Sequence, residues 1–252
     1  MKRALIVGIN YFGSSCQLSG CINDAHNIKN LLINKFNYSD VNMTVLTDDD
    51  VNNMPTKANI LNHLTQLVAL TQPGDTLFIS FSCHGGQIDD VDGDEKANFD
   101  TKGQDDVICP VDFTINGYIV DDDLKRDVVN KLPQGAKLRA IFDCCHSSTM
   151  LDLPYVYTQD KFIKVEELDK YCDDCLSISG CKDSQCSNDV CINKNYTGAL
   201  TYSLIEVLNK STTLDWNKLL KKSHQFMKKH DYKQTPTLCV GRQDLLHEQV
   251  SL

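Results

Sequence analysis

The sequence predicts an α/β fold with a central, mostly parallel β-sheet flanked by helices on both faces. Three observations lead there. Apolar runs of strand length stand at Ala4–Ile9, Leu77–Phe81 and Leu138–Phe142, and short apolar runs bounded by polar or turn residues read as buried strands. Helical stripes lie between the early strands, and a strand–helix–strand–helix–strand order builds a parallel sheet covered on both sides. At 252 residues the chain can bury one substantial core, so residues 1–252 read as a single domain.

Each element follows from its pattern. Ala4–Ile9 is the first strand. Asn23–Phe36 carries apolar residues at Ala25, Ile28, Leu31, Leu32 and Ile33, a helical stripe. Met43–Leu46 is a short strand. Thr56 caps a helix that runs to about Leu70, with Ile60, Leu61, Leu64, Leu67 and Val68 on one face. Pro73-Gly74 turns the chain into the strand that precedes His84. A long loop spans about Gly86–Gln104. A short strand at Val107–Ile108, a polar turn at Asn116-Gly117 and a helix from Asp121 to about Asn130 come next. Leu138–Phe142 is the following strand and Leu176–Ser179 a shorter one. Gly198–Leu208 reads as a helix, Leu214–Lys229 as a more basic amphipathic helix, and Thr237–Val240 as the last strand.

Composition excludes several classes. A net charge of -9 and a pI near 5.2 argue against non-specific nucleic-acid binding and against docking on an anionic membrane. No run of about 18 apolar residues is present, so no transmembrane helix is expected. Met1-Lys2-Arg3 has the charge of a signal peptide, but the apolar run behind it is short and lacks a cleavage site. The 12 cysteines, without a secretory signal, read as reduced thiols of a cytoplasmic protein.

Two strands end in reactive groups. Leu138–Phe142 runs into Asp143-Cys144-Cys145-His146-Ser147-Ser148, and Leu77–Phe81 runs into Ser82-Cys83-His84-Gly85-Gly86. Ligands of open α/β sheets bind outside the carboxyl ends of strands. If the two strands are neighbours, His84 stands beside a cysteine of the 144–145 pair, and the glycines leave backbone N–H groups close to any ligand. The bland alternative is a strand end with incidental buried thiols. Two strand ends carrying complementary chemistry in one chain weigh against it.

These residues resemble the catalytic motifs of the metacaspases, in the caspase-like clan of cysteine peptidases. The resemblance runs through nearly the whole chain, at Ala4–Tyr11, Leu18–Ala25, Val107–Asp112, Ile119–Leu124, Ser147–Pro154, Ser177–Cys181, Gly198–Tyr202 and Gln234–Pro236. It implies a caspase-like fold. Residues 1–153 would be the part carrying the dyad, 154–175 a possible processing linker, and 176–252 the smaller part. The short link matches the type I arrangement, and no pro-region is expected before the first strand.

The resemblance implies Cys145 as nucleophile, directly before His-Ser, with Cys144 on the opposite side of the strand end. His84 would be base and then acid, and the oxyanion hole would be the N–H groups of Gly85 and Cys145. His146, adjacent in sequence, is poorly placed to share a face with Cys145. Asp24 and Asp143 match the acids that line the pocket for Arg or Lys before the scissile bond, and Cys21 and Ser82 match further pocket positions. A carboxylate pair binds guanidinium or ammonium and repels an acidic side chain. For Asp24 the plain alternative is a first-turn acid complementing the helix dipole.

Acids are dense at Asp89, Asp90, Asp92, Asp94, Glu95, Asp100, Asp105 and Asp106, and again at Asp121, Asp122, Asp123 and Asp152. Hard oxygen ligands in excess suggest Ca²⁺. Asp90–Asp94 resembles the opening of an EF-hand, but its Gly93 comes too early and Thr101 stands where the closing Glu belongs. The resemblance instead implies Asp105, Asp121, Asp122 and Asp152 as calcium ligands. Asp89–Glu95 reads as a solvated acidic loop.

Cys172-x-x-Cys175, with Cys181, Cys186 and Cys191, lacks the second half of a zinc site. Tyr155–Cys175 carries Lys161, Lys164 and Lys170 with few core signals, so self-processing is expected there. Cys83 and Ser148 depart from the family pattern, where Gly and Gly or Ala are usual; both are small. The reading is therefore a calcium-activated cysteine endopeptidase acting on protein substrates with Arg or Lys before the cut. The alternatives are an inactive scaffold homologue, which would more naturally have lost Cys145 or His84, and a thiol redox or zinc protein. A monomer is expected, because metacaspases extend with further strands the sheet edge that caspases use to dimerise.

Overall fold

The computed structural model describes residues 1–90, 103–145, 149–158, 161–164, 173–180, 189–192, 195–211 and 213–252. In chain order the elements are β1 (Lys2–Gly8), α1 (Cys21–Phe36), β2 (Met43–Thr47), α2 (Lys57–Ala69), β3 (Thr76–Ser82), β4 (Gly85–Asp89) and β5 (Gln104–Ile108). Then come α3 (Phe113–Asn116), β6 (Ile119–Val120), α4 (Asp121–Asp127), β7 (Lys137–Asp143), β8 (Tyr155–Thr158), β9 (Lys161–Lys164) and β10 (Cys175–Ser179). The chain closes with β11 (Asp189–Ile192), β12 (Asn195–Gly198), α5 (Ala199–Lys210), α6 (Trp216–Lys229) and β13 (Thr237–Val240).

Eight strands form the main sheet in the order β2-β1-β3-β7-β10-β13-β8-β9. The pairs from β2 through β10 are parallel, and β13, β8 and β9 add antiparallel. Side chains of a strand alternate between faces, and here both faces are covered. Leu5 and Val7, Leu77 and Ile79, and Leu138 and Ala140 join one apolar layer with Ile60 and Leu64 of α2 and Leu124 of α4. Ala4 and Ile6, Phe78 and Ile141 join the other, with Ile28 of α1, Leu204 of α5 and Trp216 of α6. That double burial is why these strands read as continuous apolar runs. Helices on both faces of a mostly parallel sheet are what the sequence predicted.

Local signals also hold. The Thr56 side chain accepts from the Asn59 N–H at the start of α2, and Asp215 caps α6 through the Lys218 N–H.

Three differences matter. The segment read as a loop from Gly86 begins as β4, which pairs with β5 in a separate sheet, β4-β5-β6. The 154–175 stretch read as a linker supplies β8, with Val156 and Tyr157 buried, and the first residue of β10. β8 has only four residues, too short for a periodic signal, and its order comes from pairing with β13. β11 and β12 pair antiparallel, and no strand was read there from pattern; Gly198, read as the first residue of a helix, is the last of β12 and the N-cap of α5. Of the proposed processing and zinc residues, Lys170, Cys172, Cys181 and Cys186 lie outside the described residues, whereas Cys175 is a fully buried member of β10. No helix among the described residues is long and apolar enough to cross a membrane.

One buried charge ties the far end of the sheet. Arg139 of β7 is fully buried, donates to Asp174 Oδ1 at 2.6 Å and to the Ser251 carbonyl at 3.2 Å, and lies over the Trp216 ring. Removing one partner of such a pair leaves an uncompensated charge. Asp174→Ala is expected to destabilise the fold by about 3 kcal/mol, read as a lower midpoint in urea unfolding; an unchanged midpoint would contradict this.

Candidate active site

The register of the central strands builds the site. β3 and β7 pair in parallel with Ser82 opposite Asp143. Two residues beyond each stand His84 and Cys145, so both reactive groups leave neighbouring strands at the same height. Gly85 explains why no side chain is tolerated there: a Cβ would lie 2.1 Å from the Cys145 carbonyl oxygen and 3.3 Å from the Cys144 Cβ. Cys145 is partly exposed, while Cys144 is fully buried in the α2-side layer. The two thiols do face different environments.

His84 is held from three directions. Its Nε2 lies 2.7 Å from the Cys16 carbonyl oxygen. A carbonyl only accepts, so Nε2 carries the hydrogen and Nδ1 is the basic nitrogen. The His84 N–H donates to the Tyr11 hydroxyl at 3.0 Å, and that hydroxyl donates to the Cys109 carbonyl at 2.6 Å. The Tyr11 and His84 rings pack with centroids 4.8 Å apart. Tyr11 has φ of 53°, a costly conformation for a bulky residue and one that persists only where its surroundings impose it. Neither Cys16 nor Tyr11 was singled out from sequence. A carbonyl acceptor leaves no trace in residue type, and Tyr11 was visible only as part of a longer motif.

Below this, on the α1 and α5 face, two carboxylates converge. Asp24 is buried in α1. It accepts from the Ser82 hydroxyl at 2.7 Å, from the Thr197 hydroxyl, and from the Gly198 N–H at 2.9 and 3.0 Å. Asp143 accepts from the Thr201 N–H at 2.8 Å. A Cβ on Gly198 would lie 2.1 Å from Asp143 Oδ2 and 2.8 Å from Asp24 Oδ2, so both acids crowd the same glycine. Gly198 is the N-cap of α5, and the positive end of that helix offsets their charge. Burial first, and the Asp143 charge second, push the Asp24 carboxyl well above the usual carboxylate range. The hydrogen-bond partners of Asp24 lie on two other parts of the chain, β3 and β12, which takes it beyond a first-turn acid of α1. Thr197, Gly198 and Thr201, which bond to these acids, were given no site role from sequence.

Cys21 opens α1, with its N–H donating to the Asn10 side chain at 3.0 Å. Its thiol groups with Cys83 and Tyr11, whose pKa values it helps raise. Cys83 is held protonated by its hydrogen bond with Cys144 and by burial. Burial pushes Cys109 up to about 12.

Three of the four expected calcium ligands come together. Carboxylate oxygens of Asp105 on β5 and of Asp121 and Asp122 on α4 all lie within 4.8 Å of one another, with Asp105 and Asp121 almost fully buried. Asp121 accepts from the N–H groups of Asp106 at 2.8 Å and Asp122 at 3.0 Å. Three gathered carboxylates are an all-oxygen donor set of the kind Ca²⁺ takes, so these residues fit that ion. Asp152 sits at φ 44°, with the Lys125 ammonium 3.9 Å from its Oδ2, one helical turn after Asp121. Of the rest, Asp89 is exposed on β4, whereas Asp92, Asp94, Glu95 and Asp100 lie outside the described residues, as do His146 and Ser148.

Comparisons with known proteins agree with this geometry. A family model described as metacaspase, peptidase C14 domain, matches residues 2–154. Metacaspase-1 of Meyerozyma guilliermondii is 38% identical over 94% of this chain and 68% of its own length. Metacaspase-1 of Eremothecium gossypii is 36% identical over 94% of this chain and 63% of its own. Metacaspase-1 of Saccharomyces cerevisiae is 51% identical over 65% of this chain and 37% of its own. The chain thus spans about two thirds or less of the length of these relatives. A crystal structure of a protein from Geobacter sulfurreducens superposes with a TM-score of 0.71 at 23% identity, covering 99% of this chain and 97% of that one, a likeness of fold alone. The fold is caspase-like, and the chain belongs to the metacaspase family of cysteine peptidases.

Proposed function

We propose that this chain is a calcium-activated endopeptidase that cuts after Arg or Lys, with Cys145 as nucleophile and His84 as base. The observation that carries the reading is the register of Ser82 against Asp143, which sets both reactive groups side by side above an acid pair. His84 Nδ1 takes the thiol proton as the sulfur attacks the scissile carbonyl carbon. The N–H groups of Gly85 and Cys145 stabilise the oxyanion. The imidazolium then protonates the leaving amine, leaving a thioester on Cys145. A water deprotonated by His84 hydrolyses the thioester and restores the thiol.

Asp24 and Asp143 supply the charge that selects a cationic side chain. Ser82, Thr197 and the α5 N-terminus orient them. Asp105, Asp121 and Asp122, together with Asp152, are the residues that would hold Ca²⁺, whose charge would offset the mutual repulsion of the gathered carboxylates. Exposed Lys164 offers a basic site for self-processing in the 154–175 stretch. The extension of the sheet past β13 by β8 and β9 supports a monomer, because it occupies the edge that caspases pair through.

Hydrolysis of fluorogenic peptides ending in Arg or Asp, with and without millimolar Ca²⁺, tests the reading. Cleavage after Arg that needs Ca²⁺, reduced at least about 10³-fold in Cys145→Ala and in His84→Ala, is expected. Cleavage after Asp, or turnover indifferent to the metal, would refute it. The raised Asp24 pKa gives a pH dependence. The pocket carries its full negative charge only above that raised pKa, so KM for the Arg peptide should rise as pH is lowered through it. Asp24→Asn should raise KM about tenfold at pH 8 and flatten this dependence; a KM slope unchanged in the variant would exclude Asp24 from the pocket. Gly198→Ala drives a methyl into Asp143 and should raise KM for Arg peptides at least about tenfold while the folded fraction by circular dichroism is retained.

A further inference from the structure

Asp106 has no part in the reading above, yet it is completely buried and bonds to groups near both the catalytic pair and the acidic cluster. Side chains alternate along β5. Asp105 therefore points into the acidic cluster, and Asp106 points the other way. The Asp106 carboxylate accepts from Gln87 Nε2 at 3.1 Å on one oxygen. On the other it accepts from the Thr149 hydroxyl at 2.9 Å, with the Thr149 N–H at 3.4 Å. Gln87 stands directly opposite Asp106 in the β4–β5 ladder and lies three residues past His84. Thr149 lies four residues past Cys145. One carboxylate thus ties Gln87 on the strand behind the base to Thr149, the next described residue after the nucleophile.

The same residue reaches the acidic cluster through its backbone. Its N–H donates to Asp121 Oδ2 at 2.8 Å, and its chain neighbour Asp105 is itself in the cluster. Thr149 continues the link, because its carbonyl accepts from the Asp152 N–H at 2.6 Å. A charge-assisted hydrogen bond to a buried carboxylate is short and directional, so a shift of Asp106 along β5 moves both of its partners.

We propose that Asp106 is the positioning residue that couples the acidic cluster to the catalytic pair, setting the distance between the His84 and Cys145 segments according to whether a divalent cation occupies Asp105, Asp121 and Asp122. The inference rests on the calcium-dependent peptidase reading and adds the route by which the cluster would act. Asp106 touches no reacting atom; it acts through Gln87 and Thr149.

Asp106→Asn tests it, since an amide cannot accept from both partners through two oxygens as the carboxylate does. Thr149→Ala removes one arm of the clasp, and Thr149→Ser keeps its hydroxyl. Cation binding is read from terbium luminescence competed with Ca²⁺. Positioning is read from the rate of Cys145 alkylation by iodoacetamide, by mass spectrometry, with and without Ca²⁺, and from kcat and KM on an Arg peptide.

The expected result for Asp106→Asn and Thr149→Ala is metal affinity within about threefold of wild type, KM within about threefold, and kcat down at least about tenfold. Calcium should no longer change the alkylation rate in either variant, and Thr149→Ser should restore the wild-type response. A wild-type calcium response in Asp106→Asn overturns the proposal. So does a fall in metal affinity that accounts for the lost activity, which would make Asp106 a ligand. Identical loss in Thr149→Ala and Thr149→Ser also overturns it. Wild-type protein that binds no Ca²⁺ would instead overturn the calcium reading and the coupling with it, and that outcome shows in the luminescence arm alone.

Discussion

The parallel pairing of β3 with β7, Ser82 against Asp143, is the constraint on which the rest of the site depends. Successive residues on a strand face opposite ways, so a slip of one residue would exchange the faces of everything beyond it. In the observed register Cys83 and Cys144 turn together into the α2-side layer as a hydrogen-bonded thiol pair. Ser82 and Asp143 turn together toward α1 and α5, where Ser82 binds Asp24 and Asp143 meets the Thr201 N–H. His84 and Cys145 follow at the rim. The same close approach excludes a side chain at Gly85.

A second theme is the number of carboxylates the fold removes from water. Asp24, Asp105, Asp106, Asp121, Asp143 and Asp152 are all buried, in a chain of net charge -9. Burying an ionised carboxylate is costly unless donors replace its hydration. The structure meets that cost in different ways. Asp24 and Asp143 draw on the N-terminus of α5 and on hydroxyls of Ser82 and Thr197. Asp106 draws on Gln87 and Thr149, and Asp121 on two backbone N–H groups. Asp105 and Asp122 stand beside Asp121 in a donor set suited to a divalent cation. Arg139 is the cationic counterpart, buried against Asp174 and Trp216 at the opposite end of β7 from Cys145.

Much of the fold was legible because burial on both faces of the sheet writes long apolar runs into β1, β3 and β7, and because Thr56 marks the start of α2. β8, β11 and β12 were not legible. Each has four residues; β8 owes its place in the main sheet to pairing with the distant β13, while β11 and β12 pair with each other outside that sheet. Asp24, Asp143 and Ser82 were candidates by residue type alone, and the structure brings the three together around Gly198. Thr197, Gly198 and Thr201 were not candidates, because they act through backbone N–H groups and a hydroxyl that any surface loop offers. The Cys16 carbonyl that fixes the tautomer of His84 is invisible for the same reason. Asp106 was counted among the loop acids, and its separate part emerges only from which way it faces on β5.

The sequence by itself determined the fold class, the main strands β1, β2, β3, β7, β10 and β13 with the long helices between them, and the presence of a thiol, an imidazole and acids at strand ends, because these follow from local periodicity and residue chemistry. Only the tertiary structure decided which strand lies beside which and in what register, which carboxylates share a glycine, and which backbone groups they bind. Those are contacts across long sequence separations, set by packing and by the need of every buried polar group for a partner, and neither requirement leaves a periodic mark on the chain.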